Sequence, residues 1–194
     1  MGSARRAWYV AVFALGLIPV GCSTGGPASR GQAASAFWFA SVPEIVATSD
    51  VVVLGTVTDV RDGTTEGPPG EEIQHLDAEI RVEEVLYGWV GPPSVLTIQT
   101  LRFVAPPREW RTEGATVLAF LKRSADAPSG GRYYPMNDQS VYLVESGDIQ
   151  SAVEADPLSE RIASMSLDEI RAAIAAAVPA IEAGSVTPQP PVGG

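Results

Sequence analysis

The chain has 194 residues, 45% of them hydrophobic and 19% charged, and its formal net charge at pH 7 is −10. That hydrophobic share is typical of a folded chain and excludes a wholly disordered protein. The excess of acids repels phosphate backbones and anionic headgroups, so it argues against nucleic-acid binding and against docking to a membrane by charge alone.

The N-terminus has the pattern of a secretory signal. Arg5 and Arg6 precede an apolar segment, 7–20, that is short for a membrane-spanning helix, and the small residue Gly21 stands before the only cysteine, Cys22. This pattern resembles the lipobox of bacterial lipoproteins, although Pro19 stands where that family usually has Leu. The resemblance implies that residues 1–21 are removed as a signal peptide and that Cys22 is acylated.

A lipid on Cys22 would hold the protein outside the cytoplasm, on the bacterial cell membrane or on an outer membrane. A lone extracellular thiol has no disulfide partner, and two or more acyl chains hold a protein stably, so lipidation gives this cysteine a role. Two alternatives stay open, namely an ordinary cleaved signal that ends beside Cys22 and an uncleaved anchor.

Composition divides the rest of the chain into three parts. Residues 22–36 are rich in Gly, Ser and Ala, which predicts a flexible tether behind the lipidated cysteine. Residues 185–194 form a Pro/Gly tail that is predicted to be disordered. Residues 37–184 lie between them, and about 150 residues is a normal size for one domain with one core.

Short apolar or alternating segments, separated by Gly/Pro turns, run through most of this domain. They predict a mainly β fold of about five to seven short strands, arranged as a small β-barrel or sandwich rather than a doubly wound sheet. Ser41 and Glu44 have capping-box spacing, which predicts a short helix before the first strand. The predicted strands are 51–60, 76–86, 95–101, 115–121, 132–136, 141–145 and 149–153, and residues 62–72 have turn chemistry throughout.

The last segment of the domain changes from strand to helix periodicity. Ser166 and Glu169 form a second capping box, and Leu167, Ile170, Ile174 and Ile181 then fall on one stripe of a helix. We expect this amphipathic helix to cover an open side or end of the barrel, with a kink or a restart at Pro179.

Three segments in this order carry a family resemblance: SDVVVLGTV at 49–57, VEEVLYG at 82–88 and EGATVLAFL at 113–121. They resemble a group of exported bacterial proteins without an assigned function, whose strand pattern is like the OB-type barrel of netrin and tissue-inhibitor-of-metalloprotease modules. The resemblance implies an OB-like architecture and carries no chemistry. It does not extend to zinc chelation by an amino-terminal cysteine, because an acylated Cys22 would lack the free amine and thiol.

Candidate chemistry is sparse. His75 is the only histidine, and a partly exposed position at a strand edge is the expected one, because a general base would also need a nucleophile and an orienting acid nearby. Asp77 and Glu79 share a strand face that is predicted to be solvated, so we expect neither acid–base catalysis nor a cation site there. No catalytic residue, metal or cofactor is predicted.

The aromatic residues of the predicted loops are the better candidates for binding. Trp110 stands between Arg108 and Arg111, and Trp89 lies in the turn after the second strand. Trp and Arg dominate binding hot spots, so these four residues are predicted to contact a partner or a glycan. The alternative is that Trp110 folds back and plugs an end of the barrel.

These observations favour a lipid-anchored extracytoplasmic binding or envelope-structural protein without evident catalysis. Its expected partners are the membrane, through Cys22, and an envelope protein or glycan, with no nucleic acid. The alternative is a regulator or inhibitor of an exported enzyme that acts through the barrel loops.

Overall fold

A computed structural model describes residues 37–92, 94–103, 109–124, 132–151, 153 and 155–190. They all belong to one compact unit of the chain. The predicted signal peptide, the lipidation site Cys22 and the tether lie outside the described residues, and so does Arg108.

A seven-stranded sheet forms the centre of the molecule, so the predicted mainly β class is confirmed. The strands are β1 (Val51–Glu66), β2 (Ile73–Gly88), β3 (Val95–Leu101), β4 (Thr116–Arg123), β5 (Arg132–Pro135), β6 (Val141–Glu145) and β7 (Asp148–Gln150). Five of them, in the order β1-β2-β3-β5-β4, form a ring because β4 also pairs with β1, and β6 and β7 continue the sheet from β4. Among the described strand pairs, only β3–β5 is parallel.

The β1–β2 hairpin is longer than the sequence predicts. Turn chemistry was predicted for residues 62–72, between strands 51–60 and 76–86, yet both strands have 16 residues and the connection is only 67–72. The pairing register of β1 with β2 shifts between Leu54 and Gly55. β1 pairs with β4 only as far as Thr56, so the distal part of the hairpin extends past that strand.

Two hydrophobic clusters lie on opposite faces of β1 and β4. Val51 and Val53 point into the ring, where they pack with Ile80, Ile98 and their neighbours. Val52 and Leu54 point the other way, because successive side chains of a strand alternate between faces. Both faces of β1 are therefore buried at its start, which explains its continuous apolar run.

Three helices cover the outer cluster: α1 (Val42–Thr48), α2 (Pro157–Ala163) and α3 (Leu167–Glu182). The capping box at Ser166 is present in full, since the Ser166 side chain accepts from the Glu169 amide and the Glu169 carboxylate accepts from the Ser166 amide. Ile170 and Ile174 are fully buried, whereas Leu167 and Ile181 pack at the margin of the cluster.

One expectation about the C-terminal part differs from the structure. The helix does not restart at Pro179, which lies inside α3. After α3, the backbone N–H of Gln189 donates to Thr48 Oγ1 of α1 at 3.0 Å. Over the described residues, no helix combines the length and apolar character needed to cross a membrane.

Gln139 and Asp156 form a buried polar network that joins the start of the domain to α2. The Gln139 amide group exchanges two hydrogen bonds with the backbone of Phe39, as a neighbouring strand would. Asp156 caps α2 by accepting from the Ser159 amide, and it also accepts from Gln139. Burial tends to raise the pKa of Asp156, but these hydrogen bonds outweigh it and hold the pKa below its usual value.

Candidate functional site

Trp110 lies in the core and not on a binding loop. It is 4% exposed and packs in the cluster inside the ring. The sequence analysis gave two alternatives for Trp110, contact with a partner or burial inside the barrel, and the structure has it buried. Transfer of a large apolar indole from water to the ring interior is favourable in free energy. In this conformation its side chain is not available to a partner.

Arg111 is also fixed within the fold. Its side chain is only 5% exposed, and it is paired with Glu109 at 2.8 Å. It donates to the Leu101 carbonyl as well, which ties the loop to the end of β3. The hydrogen bonds from Arg111 lower the pKa of Glu109 and so keep that carboxylate ionised. The arginine holds this loop against the sheet.

Trp89 is the predicted aromatic that is exposed. It lies just after β2, with 68% of its surface accessible, and its ring lies over Gly91. The seven residues of β3 separate it from the loop of Arg111, which is attached at the far end of that strand. The predicted residues Trp89 and Arg111 therefore do not form one site.

His75 lies on the outward face of β2, near the tip of the hairpin. Its side chain is 14% exposed, and Nε2 lies 3.7 Å from Glu66 Oε2. That separation is too long for a hydrogen bond. Over the described residues, His75 Nε2 is buried and has no hydrogen-bond partner.

Asp77 corrects the expectation of a solvated face. It is 3% exposed, although it lies on the outward face of β2 as the alternation predicted. Gln99 lies opposite it on β3, and its amide donates to Asp77 Oδ1 at 3.5 Å and to Thr64 Oγ1 at 3.0 Å. A row of polar side chains therefore crosses β1, β2 and β3.

The hairpin closes over Asp77 through a bulge of β1. The register shifts between Asp62 and Thr65, and a Cβ placed on Gly63 would lie 2.7 Å from Asp77 Oδ1. Only glycine fits there without displacing the carboxylate. Since burial of an unpaired charge is costly, this cover requires a partner for Asp77.

Arg132 is that partner. It is the first residue of β5, and its Nη2 lies 3.3 Å from Asp77 Oδ2. The arginine side chain is 39% exposed, whereas that of Asp77 is only 4% exposed. A buried carboxylate therefore holds the partly exposed side chain of Arg132 in place on the outer face of the ring.

Tyr134 and Lys122 continue this outer face. Tyr134 lies two residues after Arg132, so its side chain points to the same side of β5, and it is directly opposite Lys122 on β4. Tyr134 is 36% exposed, and partial burial, followed by the charge of Asp50, raises the pKa of its hydroxyl. Lys122 donates to the Thr48 carbonyl at 3.1 Å and lies 3.6 Å from Asp50.

We define the outer site as Asp77, Gln99, Arg132, Tyr134 and Lys122. Sequence reasoning missed it because its members come from four strands that are distant in the chain, and because Asp77 has the alternation of a solvent-facing residue. The available signal was the pair Arg132 and Tyr134, at strand spacing after two glycines. The donor groups of Arg132 and Lys122 suit a ligand with a hydrogen-bond acceptor, and the ring of Tyr134 suits a ligand with a flat apolar face.

Among the described residues, no group of three or more His, Cys, Asp or Glu side chains is arranged to hold a metal ion. Comparison of the sequence with family models and with characterised proteins gives no match. The function is therefore argued from the geometry.

Proposed function

We propose that the chain is a lipid-anchored extracytoplasmic binding protein that acts without catalysis and that binds its partner at the outer site. The observation that carries this proposal is the contact between buried Asp77 and half-exposed Arg132. A charge held in one orientation by a buried partner loses little entropy when a ligand binds, and this favours recognition.

We also propose that the ring is an OB-like barrel. The ring of five strands, with a single parallel pair between β3 and β5, supports this assignment, and so does the irregularity at Gly55 that lets β1 bend. In OB-type barrels the face of the second and third strands binds ligands, together with the loops beside it. Asp77 and Gln99 lie on that face.

The anchoring part of the proposal depends on Cys22. We expect Cys22→Ser to abolish incorporation of labelled palmitate and to leave the protein unprocessed or released from the membrane fraction, because the acylated thiol is absent. Fractionation and labelling of cells that express either form measure this. Equal labelling of both forms would refute the lipid anchor.

The binding part is tested by incubating the full-length protein, purified in detergent, with protein-free envelope glycan and, separately, with the envelope protein fraction. The glycan should retain the wild-type protein. It should retain less of the variant Arg132→Lys, which keeps the charge beside Asp77. Capture of one exported enzyme at equal stoichiometry from the protein fraction, with no glycan retention, would contradict this proposal and support the regulator.

A second candidate function is that regulator, and one feature favours it. Ile73 and Phe103 are 48% and 73% exposed, beside the distal part of the hairpin. The Arg102 backbone N–H donates to the Gln74 carbonyl, which brings Phe103, just after β3, close to Ile73 of β2. A projecting hairpin with an apolar flank could enter the cleft of an enzyme.

A further inference from the structure

We propose that the outer site binds an acidic sugar, with its carboxylate on Arg132, the pyranose ring on Tyr134 and a hydroxyl group on Lys122. This inference rests on the proposed binding function, to which it adds the chemical class of the ligand.

The placement of the three side chains supports this. Lys122 and Tyr134 are a directly opposed antiparallel pair, and such pairs have Cβ atoms about 5 Å apart. Arg132 is on the same face, two residues from Tyr134, which is about 7 Å along a strand. The two cations therefore lie on either side of one tyrosine ring, with Arg132 directed to Asp77 and Lys122 directed to Asp50.

Each cation is positioned by a carboxylate and still reaches solvent. Arg132 uses Nη2 for Asp77, and 39% of its side chain is exposed. Lys122 lies beside Asp50, its Nζ donates to the Thr48 carbonyl, and 32% of its side chain is exposed. Guanidinium groups have five donors in a planar fork that matches a carboxylate, so the exposed part of Arg132 suits that group.

The charge balance selects a weakly charged ligand. Asp50 and Asp77 offset the charges of Lys122 and Arg132, so the site suits one carboxylate better than a densely charged polyphosphate. The net charge of the whole chain, −10, also repels polyphosphates. The half-exposed ring of Tyr134 offers an apolar surface for the C–H groups of a pyranose, which a simple anion lacks.

The test measures binding of methyl galacturonoside, an acidic sugar with one carboxylate, to the full-length protein in detergent by calorimetry, with its methyl ester as the uncharged counterpart. We expect the acid to bind at least about tenfold more tightly than the ester, because a charged hydrogen bond contributes more than a neutral one. Arg132→Lys, Lys122→Gln and Tyr134→Ala should each weaken binding of the acid by about three- to tenfold.

Arg81→Gln is the matched control for Lys122→Gln, because Arg81 is an exposed arginine on the outward face of β2 and both changes remove one positive charge. It should leave the affinity unchanged, and every variant should keep the wild-type melting temperature within a few degrees. Lack of binding by the wild type, equal affinity for acid and ester, or an equal loss with Arg81→Gln would overturn the acidic-sugar proposal. If envelope glycan still retains the protein in that case, the proposed binding function stands and only the ligand class is wrong. Tighter binding of a short peptide with a free C-terminal carboxylate would also overturn it.

Discussion

Trp110 and Trp89 show how strongly the surroundings of one residue decide its contribution. Trp110 is 4% exposed and contacts the cluster inside the ring, whereas Trp89 is 68% exposed in a turn. A buried indole contributes through the apolar area that it removes from water and through close packing. An exposed indole contributes almost nothing to stability until a partner covers it.

We therefore expect Trp110→Ala to lower the free energy of unfolding by about 3–5 kcal/mol, because it leaves a large cavity inside the ring. Trp89→Ala is the matched control and should change it by less than about 0.5 kcal/mol. Urea titration followed by far-UV circular dichroism measures both. A stable Trp110→Ala protein would mean that the indole is not part of the core in solution.

At the scale of the elements, α3 shows what fixes a helix on the sheet. Ser166 and Glu169 satisfy backbone donors at its start, and Ile170 and Ile174 are fully buried against the outer cluster. Arg171 on the same helix forms an ion pair with Glu84 of β2 at 2.7 Å. The contact is exposed, so it contributes little beyond orientation.

Ile174→Asp should therefore destabilise the domain by several kcal/mol, roughly 3–5, because it places an unpaired charge in an apolar cluster. Ala175→Asp introduces the same charged residue one position later, at an exposed position of α3, and should alter the melting temperature by only a few degrees. Thermal unfolding followed by circular dichroism distinguishes them. Equal shifts for both variants would show that α3 does not pack through Ile174.

Helices and strands with one buried face could be predicted from the sequence, because burial of that face spaces the apolar residues at the period of the element. β3 and β6 have the predicted bounds, and α3 begins at the predicted cap. Residues 61–66 of β1 were missed because they extend into solvent and need no apolar alternation. The helix α2 was missed because its seven residues are too few for a periodic pattern, although Asp156 and Pro157 are a typical helix start.

The outer site was not predictable in the same way. Alternation placed Asp77 correctly on the outward face, but its burial depends on the bulge at Gly63 and on Arg132, which is 55 residues away in the chain. Contacts between strands that are distant in the chain form when the ring closes, and they leave no pattern in the sequence around either residue. The four predicted binding residues came from loop composition, which cannot distinguish an exposed Trp from a buried one.

At the scale of the whole molecule, β1 and β4 join the two hydrophobic clusters. Val52 and Phe120 contribute to the outer cluster, while their neighbours Val53 and Ala119 contribute to the inner one. Neither cluster can lose its packing without disturbing strands that the other needs. The described part of the chain should therefore unfold as one cooperative unit.

This cooperativity leads to the last prediction, which uses one small deletion in each cluster. The first is Ile80→Val, on β2 inside the ring. The second is Ile162→Val, on α2 in the outer cluster. Both isoleucines are 0% exposed. Each single variant should lower the free energy of unfolding by about 1 kcal/mol, and the double variant by about the sum, because the clusters share no side chain. Far-UV circular dichroism and tryptophan fluorescence should give one coincident transition for all three variants. A separate early transition in Ile162→Val alone would mean that the helices unfold before the ring and that the shared strands do not couple the two clusters.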